Sequence, residues 1–380
     1  MISFTPTHYY LGFNLVPGIG PMRLAQLINR CGSVEAAWHA DDLDMLAAGI
    51  DSKVSAALRE AQRTLDLEAE FERTVTAGVQ LVTIEDATYP SLLAQIPAPP
   101  PLLYVRGAMI SADEWSVAVV GTRDPSLYGK EATRRIVTDL ARNSVTIVSG
   151  FALGIDAVAH STALEAGGRT IAVLGCGIDI PYPERNQRLI PYILEQGALV
   201  SEYPLQTPPA PANFPPRNRI ISGLTLGTLV VEAGKKSGAL ITVNFALEQG
   251  RDVFAVPGSI LSSKSVGTNR LIRTGAGLVT CGQDILDALN LTGAGDQQAI
   301  AAALPEDPTE AALLTLISAE PQHADQLSRT SNMPAAVVAA TLAMLELKGY
   351  IRQVAPMEYV LARQERPIYS PETNATPWRS

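Results

Sequence analysis

Three cysteines and four histidines in 380 residues leave little from which to build a metal centre or a disulfide framework. Cys31, Cys176 and Cys281 form no CxxC pair, and Cys176, flanked by glycines in LGCGID, need only be a small apolar side chain. No metal and no cofactor are expected. Positive charge is also short: 29 Lys and Arg stand against 38 Asp and Glu, a net charge of −9. Nucleic-acid binders ordinarily carry a basic surface, so any such contact here has to be local. No apolar run reaches membrane-spanning length, and Met1–Tyr10 lacks the basic start and apolar stretch of a signal peptide. A cytoplasmic protein without membrane insertion is expected. Two nucleotide signatures are missing as well. GTRDPSLYG has Arg123 where the dinucleotide fingerprint needs its second glycine, and it lacks the Gly-Lys-Ser/Thr ending of a triphosphate loop.

What is present is an ordinary globular balance, 47% apolar and 18% charged, in a chain long enough for two or three domains. Residues 1–88 read as a helical domain. In LVPGIGPMRL, Gly18 and Gly20 suit a tight turn, followed by a helix over Pro21–Asn29 with Leu24, Leu27 and Ile28 at helical spacing. This is a helix-hairpin-helix pattern. With only Arg23 and Arg30 nearby, it reads as a packing unit rather than a phosphate contact. A helix over Lys53–Thr76 and a short strand at Val79–Thr83 follow, and the proline-rich Pro90–Pro101 forms a stiff connector.

Residues 89–290 alternate short Val/Ile/Leu runs with helical patterns. The runs are Val117–Val120, Thr146–Val148, Ile171–Leu174, Leu199–Ser201, Thr228–Val231 and Val253–Val256. Helical patterns lie near Lys130–Arg142, Asp156–Ala166, Arg185–Glu195 and Ala239–Gln249. That alternation predicts an α/β domain, a Rossmann-like doubly wound parallel sheet. Residues 291–307 read as a linker. Residues 308–363 give three helical patterns, Glu310–Ser318, Asp325–Thr330 and Pro334–Lys348, then a hairpin at Ile351–Val354 and Tyr359–Ala362. The order is that of a winged helix. Its third helix, PAAVVAATLAMLELK, has a single lysine at its end, so a protein-contact or regulatory role is expected over groove reading. Residues 364–380, rich in Pro, Thr and Asn, read as a disordered tail.

Glycine loops at strand-to-helix junctions turn backbone N–H groups toward anions. In the GTR turn, Gly121 permits the bend, Thr122 adds a hydroxyl and Arg123 offers a guanidinium fork to a phosphate. The alternative is that Arg123 pairs with Asp124 or Asp156 and only ties loops together. SGFALGID places Gly150, Phe151 and Gly154 at the entrance to the next helix. Asp156 and His160 stand four apart there, which suits a structural hydrogen bond better than an acid/base pair, since no nucleophile or metal cluster completes a site. FPPRNRIISGL sets Phe214 beside Arg217, Asn218 and Arg219, and YPERN sets Tyr182 near Arg185 and Asn186. Cations beside aromatics suit single-stranded nucleic acid, whose phosphates and bases they meet together. Lys236, Gly238 and Thr242, around SGALIT, could open another helix onto an anion.

The spaced set GTR, SGFALGIDAVAH, YPERN, FPPRNRIISGL and SGALIT resembles the DprA/Smf family of DNA-processing proteins, densely from Pro90 to about Leu289. The resemblance implies a non-catalytic homodimer that binds single-stranded DNA in natural transformation and recombinational repair. It also implies protection of incoming strands, displacement of single-strand-binding protein and loading of RecA recombinase. The family's DNA pocket would carry over to Gly121, Arg123, Gly150, Phe151, Gly154, Arg185, Phe214, Arg217, Asn218 and Arg219. Dimer contacts would fall around Leu271, Ile272, Leu278 and Ile285. The rival is an enzyme: nucleotide phosphoribohydrolases share the fold, and LGTLVVE distantly resembles their motif, with Glu232 as the catalytic carboxylate.

Overall fold

Strands that are apolar at every position are satisfied only where both faces of a sheet are covered. Ser116–Val120 (β3), Thr146–Ser149 (β4), Thr170–Leu174 (β5), Gly197–Ser201 (β6) and Gly227–Val230 (β7) are buried throughout. In the computed structural model, which describes residues 4–291, 307–317, 322–331, 333–347 and 350–361, they form the centre of one sheet. Gln80–Thr83 (β1), Leu102–Gly107 (β2), Asp252–Ala255 (β8) and Gly277–Leu278 (β9) complete it, in the order β1-β2-β6-β5-β4-β3-β7-β8-β9. From β6 to β9 every pairing is parallel, whereas β1/β2 and β2/β6 are antiparallel.

The pleat distributes the strand residues between opposite cores. Val117 and Val119 pack with Ile136, Leu140 and Ile155 on one face, and Ala118 and Val120 pack with Ile220, Ile221 and Val243 on the other. Ala172, Leu174 and Leu199 share a third cluster with Tyr9, Phe13, Leu27 and Leu58 of the N-terminal helices. Residues 1–294 accordingly form one compact unit, and β1, which precedes residue 88, pairs with β2 beyond it.

Most elements fall within a residue or two of expectation, and the differences have local causes. The single helix expected over Lys53–Thr76 is two, Ser52–Thr64 and Leu67–Thr76. The Asp66 side chain caps the second by accepting from Ala69 N (3.0 Å). Arg185–Glu195 opens as a 3₁₀ turn, Glu184–Leu189, before an α-helix at Ile190–Gln196. The hairpin of Pro6–Leu15 and Pro21–Cys31 turns at Gly18, whose φ of +90° is one that side chains avoid. Its two arginines are used within the helical region: Arg23 pairs with Asp51 (2.9 Å) and Arg30 with Asp44 (3.0 Å).

The second unit, residues 295–380, has helices Pro308–Leu316, Ala324–Ser331 and Ala335–Leu347. Strands Gln322–His323 (β10), Ile351–Ala355 (β11) and Glu358–Leu361 (β12) pair in the order β10-β12-β11, around a core of Leu313, Leu327, Leu342, Leu345 and Ile351. This is a winged helix. Residues 292–306 of the expected linker 291–307 and the whole of the tail 364–380 lie outside the described residues.

At the N-terminal edge of the sheet, Asp113 accepts from Arg169 Nε (2.6 Å) and Nη2 (2.9 Å), Thr146 Oγ1 (3.0 Å) and Ile110 N (2.8 Å). Asp113→Ala strands a mostly buried guanidinium and should cost about 3 kcal/mol in urea unfolding. A loss below about 1 kcal/mol would show that the pair is solvated and incidental.

Candidate functional site

The strand order reverses at β3, which pairs with β4 on one side and β7 on the other. In open parallel sheets the crevice beyond the strand ends at such a point is where ligands bind. A cleft of about 730 Å³ opens there. Val120, Gly121, Thr122 and Arg123 line it from the end of β3, and Gly234, Lys236, Ser237 and Gly238 from the segment after β7.

Backbone bonds hold the GTR turn. Thr122 N donates to Glu232 O (2.8 Å), and Ile155 N donates to Thr122 O (3.1 Å). Gly154 backs onto it with φ +84°, and a Cβ at Gly154 would stand 2.3 Å from Thr122 O. Gly154 therefore shapes the turn without lining the cleft. Arg123 is exposed, and its Cζ lies 5.8 Å from the centroid of the Phe214 ring. Neither expected pairing partner holds it. Asp124 is held by Lys264 Nζ (2.8 Å), and Asp156 is buried, accepting from Gly150 N (3.1 Å) and Ala152 N (3.2 Å).

FPPRNR lies on a helix, Phe214–Gly223, rather than in a loop, with Pro215 and Pro216 in the first turn, where no intrahelical donor is needed. The helix separates its basic residues. Arg217 is 4% exposed beneath Phe214 (Cζ to ring centroid 5.8 Å), and its Nη1 donates to Gly150 O (2.8 Å) and to Val173 O. Burial pushes its pKa down to about 10, so it stays cationic at neutral pH. Burial pushes the Asp156 carboxyl up, against the pull of Arg217 and the two loop amides. Arg217 thus contributes a buried charge to the cleft floor, with Nη1 committed to two backbone carbonyls. Arg219 faces away, bound through two oxygens to Glu202 (2.6 and 3.2 Å), and does not line the cleft.

Phe151, Asn186 and Ile285 need correcting too. Phe151 is fully buried with φ +58°, its ring 6.1 Å from that of His160, so it offers no face to a ligand. Asn186 is 4% exposed and donates to Phe151 O and Ala152 O (both 2.9 Å), bracing that loop. Ile285 is buried in the core with Ile136 and Val279, which removes it from any dimer surface. Leu271 and Ile272 are half-buried and Leu278 is exposed on the edge strand. Gly150 leaves room for Arg217 and Asp156, each 2.9 Å from where its Cβ would stand, and Arg185 is exposed outside the cleft lining.

Phe214, Arg217, Asn218 and Thr242 complete the expected residues that the cleft gathers. The exposed Tyr182 ring stands 6.2 Å from that of Phe214. Pro209 and Pro211 form a wall that sequence reasoning missed; their only signal is the stiff TPPAPA run. Lys236 is exposed, and nothing lies within 4 Å of a Cβ at Gly238, so the N-terminus of helix Ala239–Glu248 is open to approach. Glu232, the carboxylate of the enzyme reading, is 2% exposed and accepts from Ser126 N (2.8 Å) and Ser126 Oγ (2.5 Å) outside the cleft lining. Asp156 and His160 do not bond each other: His160 Nδ1 meets Thr170 Oγ1 (2.7 Å), which itself donates to Ile147 O (2.8 Å). Nδ1 therefore carries the proton. Among the described residues no cluster of three or more potential metal ligands occurs, and no helix is long and apolar enough to cross a membrane.

Fold and site together define a Rossmann-sheet protein with a switch-point cleft lined by Arg123, Lys236, Tyr182 and Phe214, and with a winged helix in the same chain. Residues 80–290 match the family model for DNA recombination-mediator protein A, and residues 297–355 match the DprA winged helix domain. Protein Smf of Synechocystis sp. is 35% identical over 92% of this chain and 98% of its own length, and Protein Smf of Escherichia coli is 41% identical over 81% and 85%. Among solved structures, the X-ray structure of DprA from Streptococcus pneumoniae aligns with a TM-score of 0.66 at 37% identity, covering 75% of this chain and 98% of that one. DNA processing protein A from Helicobacter pylori, a structure described for its single-stranded DNA binding mode, aligns at 0.50 and 32% identity, covering 56% and 97%. The chain belongs to the DprA/Smf family of DNA-processing proteins.

Burial pushes the His160 pKa from 6.5 down to about 3, so the folded protein keeps it neutral while the unfolded chain takes a proton below 6.5. Stability from this group is complete above pH 6.5 and falls as the pH drops toward 3. Between pH 6.5 and 5 the wild type should lose about 2 kcal/mol more than His160→Gln, read from urea midpoints. Parallel pH profiles would mean that the imidazole reaches water.

Proposed function

We propose that the switch-point cleft binds single-stranded DNA without regard to sequence. The observation that carries this is the exposed Arg123 on the GTR turn, free of both carboxylates expected to pair with it and 5.8 Å from Phe214 at the mouth of the cleft. A guanidinium fork and the Lys236 ammonium take phosphates, while Phe214 and Tyr182 present rings to a base or sugar. The single-stranded DNA binding of the Helicobacter pylori protein supports the same assignment. The protein then acts as a mediator, not an enzyme, a reading supported by Glu232, the carboxylate of the enzyme reading, being bound to the Ser126 amide and hydroxyl outside the cleft lining. The wider role rests on the family resemblance: a cytoplasmic homodimer, joined around Leu271, Ile272 and Leu278, that displaces single-strand-binding protein and loads RecA in transformation and repair. The winged helix fits protein contact or regulation, since its third helix exposes Ala336, Val337, Ala340 and Met344 where a groove reader needs donors.

Fluorescence anisotropy of a labelled poly-dT strand over a salt series tests the cleft. Arg123→Ala and Lys236→Ala should each weaken binding and make the log–log salt plot shallower, by about 0.7 for each phosphate no longer neutralised. Wild-type binding by both at every salt concentration would put the strand elsewhere. Release of free base from a nucleoside monophosphate, abolished in Glu232→Gln, would establish the enzyme instead.

A further inference from the structure

A second hollow, about 380 Å³, lies beside the hairpin of the N-terminal helices. Ile19, Gly20 and Leu24 of the hairpin line it together with Tyr203, Pro216 and Arg219. It adjoins the cleft through one helix. The first turns of Phe214–Gly223 give Phe214, Pro215 and Asn218 to the cleft, and Pro216 and Arg219 to this groove. Tyr203 Oη also donates to Asn213 O (3.0 Å), the residue that leads into Phe214.

The chemistry of the two hollows differs. Glu202 and Arg219 are the charged residues of the groove lining, and they neutralise each other, 14% and 11% exposed. Such a groove offers a phosphate nothing. It offers a base a good deal: a guanidinium held in one plane by two carboxylate bonds presents a flat face for stacking, and Tyr203 adds a ring. Pro100, Pro101, Pro216 and Leu24 give the groove apolar walls.

We propose that a strand held in the cleft continues across Pro215 and Pro216 and lays an unpaired base into this groove against the Arg219–Glu202 plane. The proposal rests on the strand-binding reading of the cleft. It makes the hairpin a wall of the binding surface that touches bases, not phosphates. Stacking releases no counterions, so the groove adds affinity that depends on strand length and not on salt.

Gly20 is the position at which to test it. It lines the groove, its φ of −94° suits any residue, and nothing lies within 4 Å of a Cβ built there. Gly20→Phe therefore adds a ring at the groove wall without straining the fold. Oligo-dT strands of about four and about sixteen nucleotides are titrated against full-length wild type, Gly20→Phe and Arg123→Ala. Gly20→Phe should bind the short strand as wild type does and the long strand roughly tenfold more weakly, with an unchanged salt slope. The double variant Glu202→Met, Arg219→Met, in which an apolar pair replaces the ion pair at little cost in stability, should behave alike. If Arg123→Ala weakens both strands while Gly20→Phe binds both like wild type, the groove proposal is overturned and the cleft reading stands. Equal weakening of both strands by Gly20→Phe also overturns it, because the plug then acts on the cleft. If Arg123→Ala weakens neither strand, the cleft reading fails first.

Discussion

The buried guanidinium of Arg217 is the interaction on which the cleft depends. A charge taken out of water costs several kcal/mol unless it is met in place. Here it is met by the carbonyls of Gly150, at the end of β4, and Val173, in β5, and by the Asp156 carboxylate nearby. One side chain thus ties the helix that carries Phe214 to two strand ends and to the glycine loop. Asp156 bonds the Gly150 and Ala152 amides, and Asn186 bonds the Phe151 and Ala152 carbonyls, so the loop is gripped from both sides. Because the loop cannot relax, the GTR turn seated against Gly154 cannot either. The exposed contacts at the mouth are held by this polar network, which lies below them.

That network explains what could and could not be read from the residues alone. The sheet was legible because its central strands are apolar at every position, a pattern with few solutions other than a covered parallel sheet. The cleft was legible as a location, since Gly121, Thr122, Arg123, Phe214 and Lys236 follow strand ends that share one edge. The roles within it were not. Arg123, Arg217 and Arg219 are the same residue type in similar company, yet one is exposed, one is buried on carbonyls and one is paired with Glu202. Partners that decide between these states come from distant segments, such as Lys264 drawing Asp124 away from Arg123 across 140 residues. Phe151 and Asn186 show the same limit: residue types that suit a ligand suit a rigid loop equally well.

The acidic balance of the chain follows from the same division. A net charge of −9 is unfavourable to a protein that coats duplex DNA, but it hardly affects one that neutralises few phosphates at a recessed site. Several described arginines outside the cleft are matched by carboxylates within a few residues or across a helix pair, as Arg23, Arg30, Arg59, Arg63 and Arg73 are. Such surface pairs contribute little to stability, yet they remove the fields that would attract a polyanion elsewhere.

The two helical turns singled out by the sequence are separated by the same reasoning. In the hairpin, Arg23 is bound to Gly18 O and Asp51, so its glycine turn is consumed by packing and has no cation to offer a phosphate. In the winged helix, the exposed face of Ala335–Leu347 carries alanines, Val337 and Met344, without the amide and guanidinium donors that read base edges. Both motifs keep the geometry of a nucleic-acid contact while lacking its charge. Backbone geometry alone is cheap to retain, because it also solves a packing problem. Recognition of a polyanion needs uncommitted donors, and at the switch point Arg123 is held by neither Asp124 nor Asp156.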